Sequence, residues 1–462
     1  MPESVSHHVV AIPYPGRGHV NPMMNLCKLI ALRHPSNFLI TVIVTEEWLG
    51  FIGCEPKPPN IRFATIPNVI PLEANRAADF TGFIKAVHTK MEDPVEQLLR
   101  GMVVPISVLL YDTYLTWVLY IGDRMNTPVA SLFTMSATVF SMAYHYHLLV
   151  ENHHAGDNFS GNTDEIVDYI PGVPPIRVAD LVTGFNGKGK DTAAVALNGI
   201  SMSANAQFLI LTSVYELEAQ VIDALKSDLS IPVYAIGPAI PYFNLNEVEN
   251  DQNTPDYVKW LDRQPEASVL YISQGSFLSV SDAQLDEIVS GVRDSGVWYL
   301  WIARGETVFR HENDEKGLVI PWCDQLRVLC HGSIGAFWSH CGWNSAKEGA
   351  FSGKPMIAFP IFWDQVPNSK MIMEDWKTGR RVWTDEGILV TRDEISKLIS
   401  SFMDPRSEMG KDMRNRAKEV EKISRLAISE GGSAQIDLDS FIRDITKSSL
   451  THKSCPSAHL EQ

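Results

Sequence analysis

His19 and Asp112 are the residues from which a chemistry can be read. His19 stands in PYPGRGHVNP (Pro13–Pro22), just after the apolar run His8–Pro13, and Asp112 directly follows the run Ile106–Tyr111. Continuous apolar runs of this length read as strands buried on both faces. If the two strands are parallel, both side chains leave the same edge of the sheet. A carboxylate bonded to one imidazole nitrogen fixes the tautomer and raises the basicity of the other nitrogen. The pair would then be a general base. Taken alone, a turn histidine is commonly only solvated, and an aspartate in this place also caps a helix.

A second constellation lies late in the chain. The apolar run Ser333–Trp338 leads into His340, Cys341, Gly342, Trp343, Asn344 and Ser345, then a helical stretch carrying Glu348. Asn344 and Ser345 fall at the helix N-terminus, where free amides and the helix dipole hold an anionic phosphate. His340 adds a hydrogen-bond donor, and Glu348, one turn in, can accept from ribose hydroxyls. Asp364 and Gln365 follow the next strand, Met356–Phe359, and offer acceptors and donors to sugar hydroxyls. Each of these residues could also be an ordinary cap or surface polar group.

Other chemistries fit less well. Cys323, Cys330, His331, His340 and Cys341 crowd together, but no pair has the C-x-x-C or H-x3-5-H spacing of a zinc site. GFNGKGKD (Gly184–Asp191) nearly matches a phosphate loop, yet Asp191 replaces the hydroxyl residue that binds magnesium. Gly16 and Gly18 begin a dinucleotide fingerprint whose third glycine position is Asn21. Glu46 could pose as the ribose-binding acid, but it comes 28 residues after Gly18. No metal site is expected.

The elements that must position these residues alternate. Strands are read at His8–Pro13, Phe38–Thr45, Ile61–Ile66, Ile106–Tyr111, Pro128–Phe133 and Ala206–Leu211, and again at Val269–Ser273, Trp298–Ala303, Ser333–Trp338 and Met356–Phe359. Helices fill the gaps, the first opening at Asn21-Pro22 with Asn21 as its cap. The stretch Glu151–Thr192 is rich in Gly, Asn, Asp and Pro and reads as a long irregular excursion. A polar, non-periodic segment after Gly237 reads as a linker. The fold class is therefore α/β, with two doubly wound Rossmann-like domains facing each other across a cleft. The boundaries are 1–237, a linker at 238–254, a second domain at 255–447 and a flexible tail at 448–462.

Composition bounds the partners. The chain has 462 residues, 39 Lys plus Arg against 55 Asp plus Glu, and a formal net charge of −16. So acidic a surface repels nucleic acid and anionic lipid. The length fits two or three domains of about 150 residues. No secretory leader and no membrane span are read; Met102–Ile121, the nearest candidate, contains Pro105 and Asp112. A cytoplasmic protein with free thiols is expected.

Trp322–Gln365 resembles the 44-residue signature of plant uridine diphosphate-dependent glycosyltransferases, matching it at Trp322, Gln325, His331, the run His340–Ser345, Glu348, Pro360, Asp364 and Gln365. YPGRGHVNP, LTSVYELE (Leu211–Glu218), YAIGP (Tyr234–Pro238) and SVLYISQGS (Ser268–Ser276) are similar to further landmarks of that family. The resemblance implies the GT-B fold and transfer of glucose from UDP-glucose, with inversion, to a hydroxyl of a small hydrophobic acceptor. It implies that Trp322 and Cys323 hold uracil, and Gln325 and Glu348 the ribose. Ser276, His340, Asn344 and Ser345 would hold the diphosphate, and Trp343, Asp364, Gln365 and Thr134 the sugar. His19 would be the base and Asp112 its partner. Departures are Gln274, where the family commonly has Phe, and Lys354 within Gly353–Pro355. Acceptor contacts are expected from Tyr14, Met135 and Tyr144. No cofactor beyond the UDP-glucose co-substrate and a monomeric state are expected. A catalytically silent sugar-nucleotide or hydrophobic-ligand binder is the alternative, and a dinucleotide oxidoreductase ranks behind it.

Overall fold

The computed structural model describes residues 7–76, 78–157, 159–185, 190–246, 254–275, 280–303, 315–382 and 389–453. The chain divides into two compact units. One comprises residues 1–179, 184–239 and 427–462, the other 180–183 and 240–426.

The first unit is built on a seven-stranded sheet. Its strands are β1 (His7–Ile12), β2 (Phe38–Thr45), β3 (Ile61–Ile66), β4 (Val108–Asp112), β5 (Val129–Phe133), β8 (Phe208–Leu211) and β9 (Val233–Ala235); β6 (Ile166–Val167) and β7 (Ile176–Arg177) form a separate small antiparallel pair. The order is β3-β2-β1-β4-β5-β8-β9, with every pairing parallel. The order reverses between β1 and β4, where Ile12 pairs with Tyr111. Chains leaving β1 and β4 therefore emerge side by side at a topological switch point, where doubly wound sheets bind ligands. Val9–Ile12 and Val108–Tyr111 are fully buried, as parallel strands covered on both faces require.

The second unit carries a six-stranded parallel sheet of β10 (Val269–Ser273), β11 (Trp298–Ile302), β12 (Gly317–Ile320), β13 (Ile334–Ser339), β14 (Met356–Ala358) and β15 (Gly379–Arg381). Its order, β12-β11-β10-β13-β14-β15, reverses between β10 and β13. Each unit thus has one switch point beside its first strand.

Four expectations need correction. The first helix runs Arg17–Arg33, not from Asn21, because the N–H groups of His19 and Val20 already bond the Gly16 carbonyl. Pro22 lies inside that helix, and His19 is in its first turn. The chain from Ala427 onward belongs to the first unit rather than the second. The reason is the helix Ser433–Lys453, whose Leu438, Phe441, Ile442 and Ile445 are buried. Phe441 meets Phe208 and Tyr234, Asp444 accepts from the Tyr234 hydroxyl at 2.7 Å, and Asp437 accepts from the Ala235 amide at 2.8 Å. The expected tail is helical through Lys453; 454–462 lie outside the described residues, as does part of the expected linker. The excursion Glu151–Thr192 is only partly irregular, since it holds β6 and β7. Its residues Asp180–Thr183 belong to the second unit, where Asp180 and Arg381 form a buried ion pair.

Candidate functional site

His19 and Asp112 meet at the first switch point. His19 Nδ1 lies 2.8 Å from Asp112 Oδ2, and Asp112 Oδ1 accepts from the Tyr114 amide at 3.1 Å. Asp112 is buried and His19 keeps 18% of its side chain exposed. A carboxylate only accepts, so Nδ1 carries the proton and Nε2 the lone pair. Thr134, expected against the sugar, places its hydroxyl 3.0 Å from the same Nδ1. It is buried directly beyond the end of β5, next to β4.

Rings enclose the imidazole. Tyr14 lies 5.1 Å from it and Tyr114 5.8 Å, and the Tyr114 hydroxyl reaches Met135 Sδ at 3.5 Å. Tyr144 stacks on Phe140 and reaches this cluster through Phe140 and Phe133, so it stands farther back than expected. Two supports were not read from the sequence. Tyr114 sits two residues past Asp112, a proximity that was available. Arg76 gave no local signal. It is buried, donates to the Pro15 carbonyl at 2.8 Å, pairs with Glu47 at 2.7 Å and lies over Phe83, whose ring meets Tyr14 edge-on. It holds the loop ahead of His19 from 61 residues away.

The second unit assembles the other set around its own switch point. The helix Trp343–Phe351 starts just past β13, with Gly342 as its cap residue, so the Asn344 and Ser345 amides lie in its first turn. Cys341 has a left-handed backbone (φ 66°), as does Trp363 (φ 60°), and such strain in non-glycine residues is typical of ligand sites. His340 is half-buried, and loss of solvent around its ring pushes its pKa down to about 4, so it is a neutral donor rather than a cation. Room for its ring is made by glycines. A Cβ on Gly275 would fall 2.7 Å from His340 Nε2, and one on Gly342 would fall 2.5 Å from it. Gly275 also has φ +83°. Ser276 lies outside the described residues.

Gln325 and Glu348 meet directly. Gln325 Nε2 donates to Glu348 Oε2 at 2.7 Å and to Ser345 Oγ at 3.1 Å. Burial pushes the Glu348 pKa up to about 7, against the Gln325 bond, which lowers it. Cys323 is buried and stays a thiol, its pKa raised to about 12 by burial. Trp322, by contrast, is 63% exposed, a flat apolar face open to solvent. Asp364 Oδ2 accepts from Asn368 at 2.8 Å, and Asn368 also donates to the Cys341 carbonyl at 3.0 Å. Asn368 therefore ties the Asp364 turn to the strained residue ahead of the helix. It stands one helical turn past Asp364 and was not singled out in the sequence. The Gln365 amide oxygen accepts from the Ile361 and Phe362 amides, which turns its Nε2 into the group available to a ligand. Lys354, the departure from the family pattern, is half-buried and donates to the Ile334 and His331 carbonyls.

Among the described residues, no group of three or more His, Cys, Asp or Glu is placed to hold a metal ion, and no helix is long and apolar enough to cross a membrane. Cys27, Cys54, Cys323, Cys330 and Cys341 are unpaired thiols.

Residues 237–395 match the family model of UDP-glucoronosyl and UDP-glucosyl transferases. The chain is 51% identical to UDP-glycosyltransferase 87A2 of Arabidopsis thaliana, over 96% of this chain and 98% of that one. It is 48% identical to UDP-glycosyltransferase 87A1 of the same plant, over 94% and 100%. Among solved structures it is similar to Medicago truncatula UGT71G1 complexed with UDP-glucose, at 25% identity and TM-score 0.80, covering 96% of this chain and 98% of that one.

Proposed function

Since the chain belongs to the UDP-glycosyltransferase family and has the GT-B fold, we propose that it moves glucose from UDP-glucose to a hydroxyl of a small hydrophobic acceptor, phenolic or terpenoid, with inversion. The observation that carries this reading is the 2.8 Å bond from His19 Nδ1 to buried Asp112, which orients a base whose Nε2 accepts a proton. His19 takes the acceptor's proton as the oxygen attacks the anomeric carbon, with Asp112 stabilising the imidazolium. Thr134 supports the base and contacts the sugar. Uridine diphosphate departs from the opposite face, giving a β-glucoside.

In the second unit, Trp322 stacks on uracil and the Cys323 backbone bonds it. Gln325 and Glu348 receive the ribose. His340, Asn344, Ser345 and Ser276 receive the diphosphate, and Trp343, Asp364 and Gln365 the glucose. The leaving group's charge meets fixed N–H donors that need no reorganisation. A divalent ion has no assigned task, so excess chelator leaves most of the activity in place; complete, magnesium-restored inhibition would overturn that assignment. Tyr14, Met135 and, through Phe140, Tyr144 form the apolar side that selects the acceptor. The domain limits follow the structural units, and the protein works as a cytoplasmic monomer.

The test is a screen of hydroxylated acceptors with UDP-glucose and mass detection of products. Glucoside formation supports the reading. Binding of uridine diphosphate without transfer to any of a broad panel would instead favour a silent binding protein, against which the ordered His19–Asp112 pair stands.

A further inference from the structure

Tyr271 lies in β10, wholly buried, its ring stacked on Phe337 at 5.2 Å. Its hydroxyl is 3.0 Å from Gln325 Oε1 and 3.4 Å from Cys323 Sγ. We propose that Tyr271 is a positioning residue for the nucleoside: its hydroxyl sets which way round the Gln325 amide lies, and so keeps Glu348 an acceptor for the ribose hydroxyls. This rests on the donor reading above.

A primary amide has nearly the same shape either way round, and only its partners choose between oxygen and nitrogen. The phenol donates its single proton to Gln325 Oε1. The other neighbours of the phenol oxygen, the Cys323 thiol and the Ser273 hydroxyl, then act as donors to it. Gln325 Nε2 is left to face Glu348 Oε2 at 2.7 Å and Ser345 Oγ at 3.1 Å. The bonds form one directional chain, from Cys323 through Tyr271 and Gln325 to Glu348, and each member polarises the next. Reversing the amide would set its oxygen against the Glu348 carboxylate.

That carboxylate has little else to keep it ionised. Its burial opposes the charge, and so does Asp324, while Lys347 and the Gln325 amide favour it. Tyr271 and Cys323, the other titratable groups facing it, are both held in their neutral forms by burial. Without the phenol O–H, Gln325 loses its anchor, Glu348 protonates more readily, and the protonated acid replaces an acceptor with a donor where the ribose offers donors of its own.

The experiment measures uridine diphosphate binding to the full chain by calorimetry, across pH on both sides of the Glu348 midpoint at about 7. For Tyr271→Phe the expected result is an affinity loss of about tenfold at neutral pH, the scale of one charge-coupled hydrogen bond, with the pH midpoint moved upward. Gln325→Met should show the same upward movement, and adding Tyr271→Phe to it should cost little more. Should Tyr271→Phe fail to fold, the midpoint in Gln325→Met still decides. An unchanged midpoint in either variant overturns the proposal, as would full additivity in the pair. A wild-type chain that does not bind uridine diphosphate overturns the donor reading itself.

Discussion

Both sheets reverse their strand order once, between β1 and β4 in the first unit and between β10 and β13 in the second, and a histidine stands beyond a strand at each reversal. The two histidines have opposite surroundings. His19 is partly exposed, with a buried carboxylate on one nitrogen and a hydroxyl beside it. His340 is half-buried too, but it is framed by Gly275 and Gly342 and held neutral by desolvation well below the usual imidazole range. The same topological position thus makes a proton acceptor where a carboxylate is supplied, and a fixed dipole where desolvation dominates. In the proposed function, charge on the first comes and goes, while charge near the second belongs to the ligand and is met by backbone amides.

The comparison is broken most severely by His19→Ala. Turnover should fall by roughly 10² to 10⁴ while calorimetric affinity for uridine diphosphate is unchanged. Near-full activity on an alcohol acceptor would remove His19 from the base role. Asp112→Asn should lower turnover less, by roughly 10- to 100-fold, again without touching donor affinity.

The opposite unit responds in binding. Gly275→Ala meets His340 at 2.7 Å and forces an alanine into φ +83°, an expected cost of about 1–3 kcal/mol in the local structure. Uridine diphosphate affinity should drop by about tenfold or more. Gly342→Ala meets His340 at 2.5 Å without a left-handed backbone, so a smaller loss is expected there. Equal, negligible effects on donor affinity would show that the His340 ring position does not matter.

The pH dependences should separate in the same way. Glu348 titrates at about 7, and in the proposed function its carboxylate is the form that accepts from the ribose. Its protonation weakens donor binding, so affinity should fall as pH drops through about 7 and level off above it. His340, at about 4, stays neutral throughout that window and adds nothing. Affinity independent of pH from 6 to 8, bracketing that value, would exclude Glu348 from nucleoside binding. The smallest effect belongs to Gln365→His. One hydroxyl contact changes, so the ratio of UDP-galactose to UDP-glucose use should shift by at most about 1–2 kcal/mol, measured in direct competition.

What was legible in the sequence is whatever depends on local order. The apolar runs placed β1, β2, β10 and β13 to within a residue or so, because strands buried on both faces admit little but Val, Ile, Leu and their like; the edge strand β3 was placed as well, although its Arg62 is exposed. The run His340–Ser345 with Glu348 one turn on was legible as a helix start just past a strand, since strand, glycine and helix follow in order. His19 and Asp112 were legible as residues at two strand ends. Their contact needed the further fact that β1 and β4 are neighbours and parallel, with Ile12 beside Tyr111.

The tertiary structure alone decided which groups share an environment. Phe441 and its helix leave the second half of the chain and cover Phe208 and Tyr234 in the first unit, because an apolar helix face packs wherever sheet surface is open. Arg76 reaches the loop before His19, and Thr134 reaches His19 itself. The Tyr271 hydroxyl donates to the Gln325 amide oxygen, and Asn368 bridges Asp364 and Cys341. Residue types and spacing determined the elements and the reactive groups. Strand order and burial determined their partners, the neutrality of His340 and the near-neutral titration of Glu348, because a pKa depends on desolvation and on neighbours that are distant along the chain.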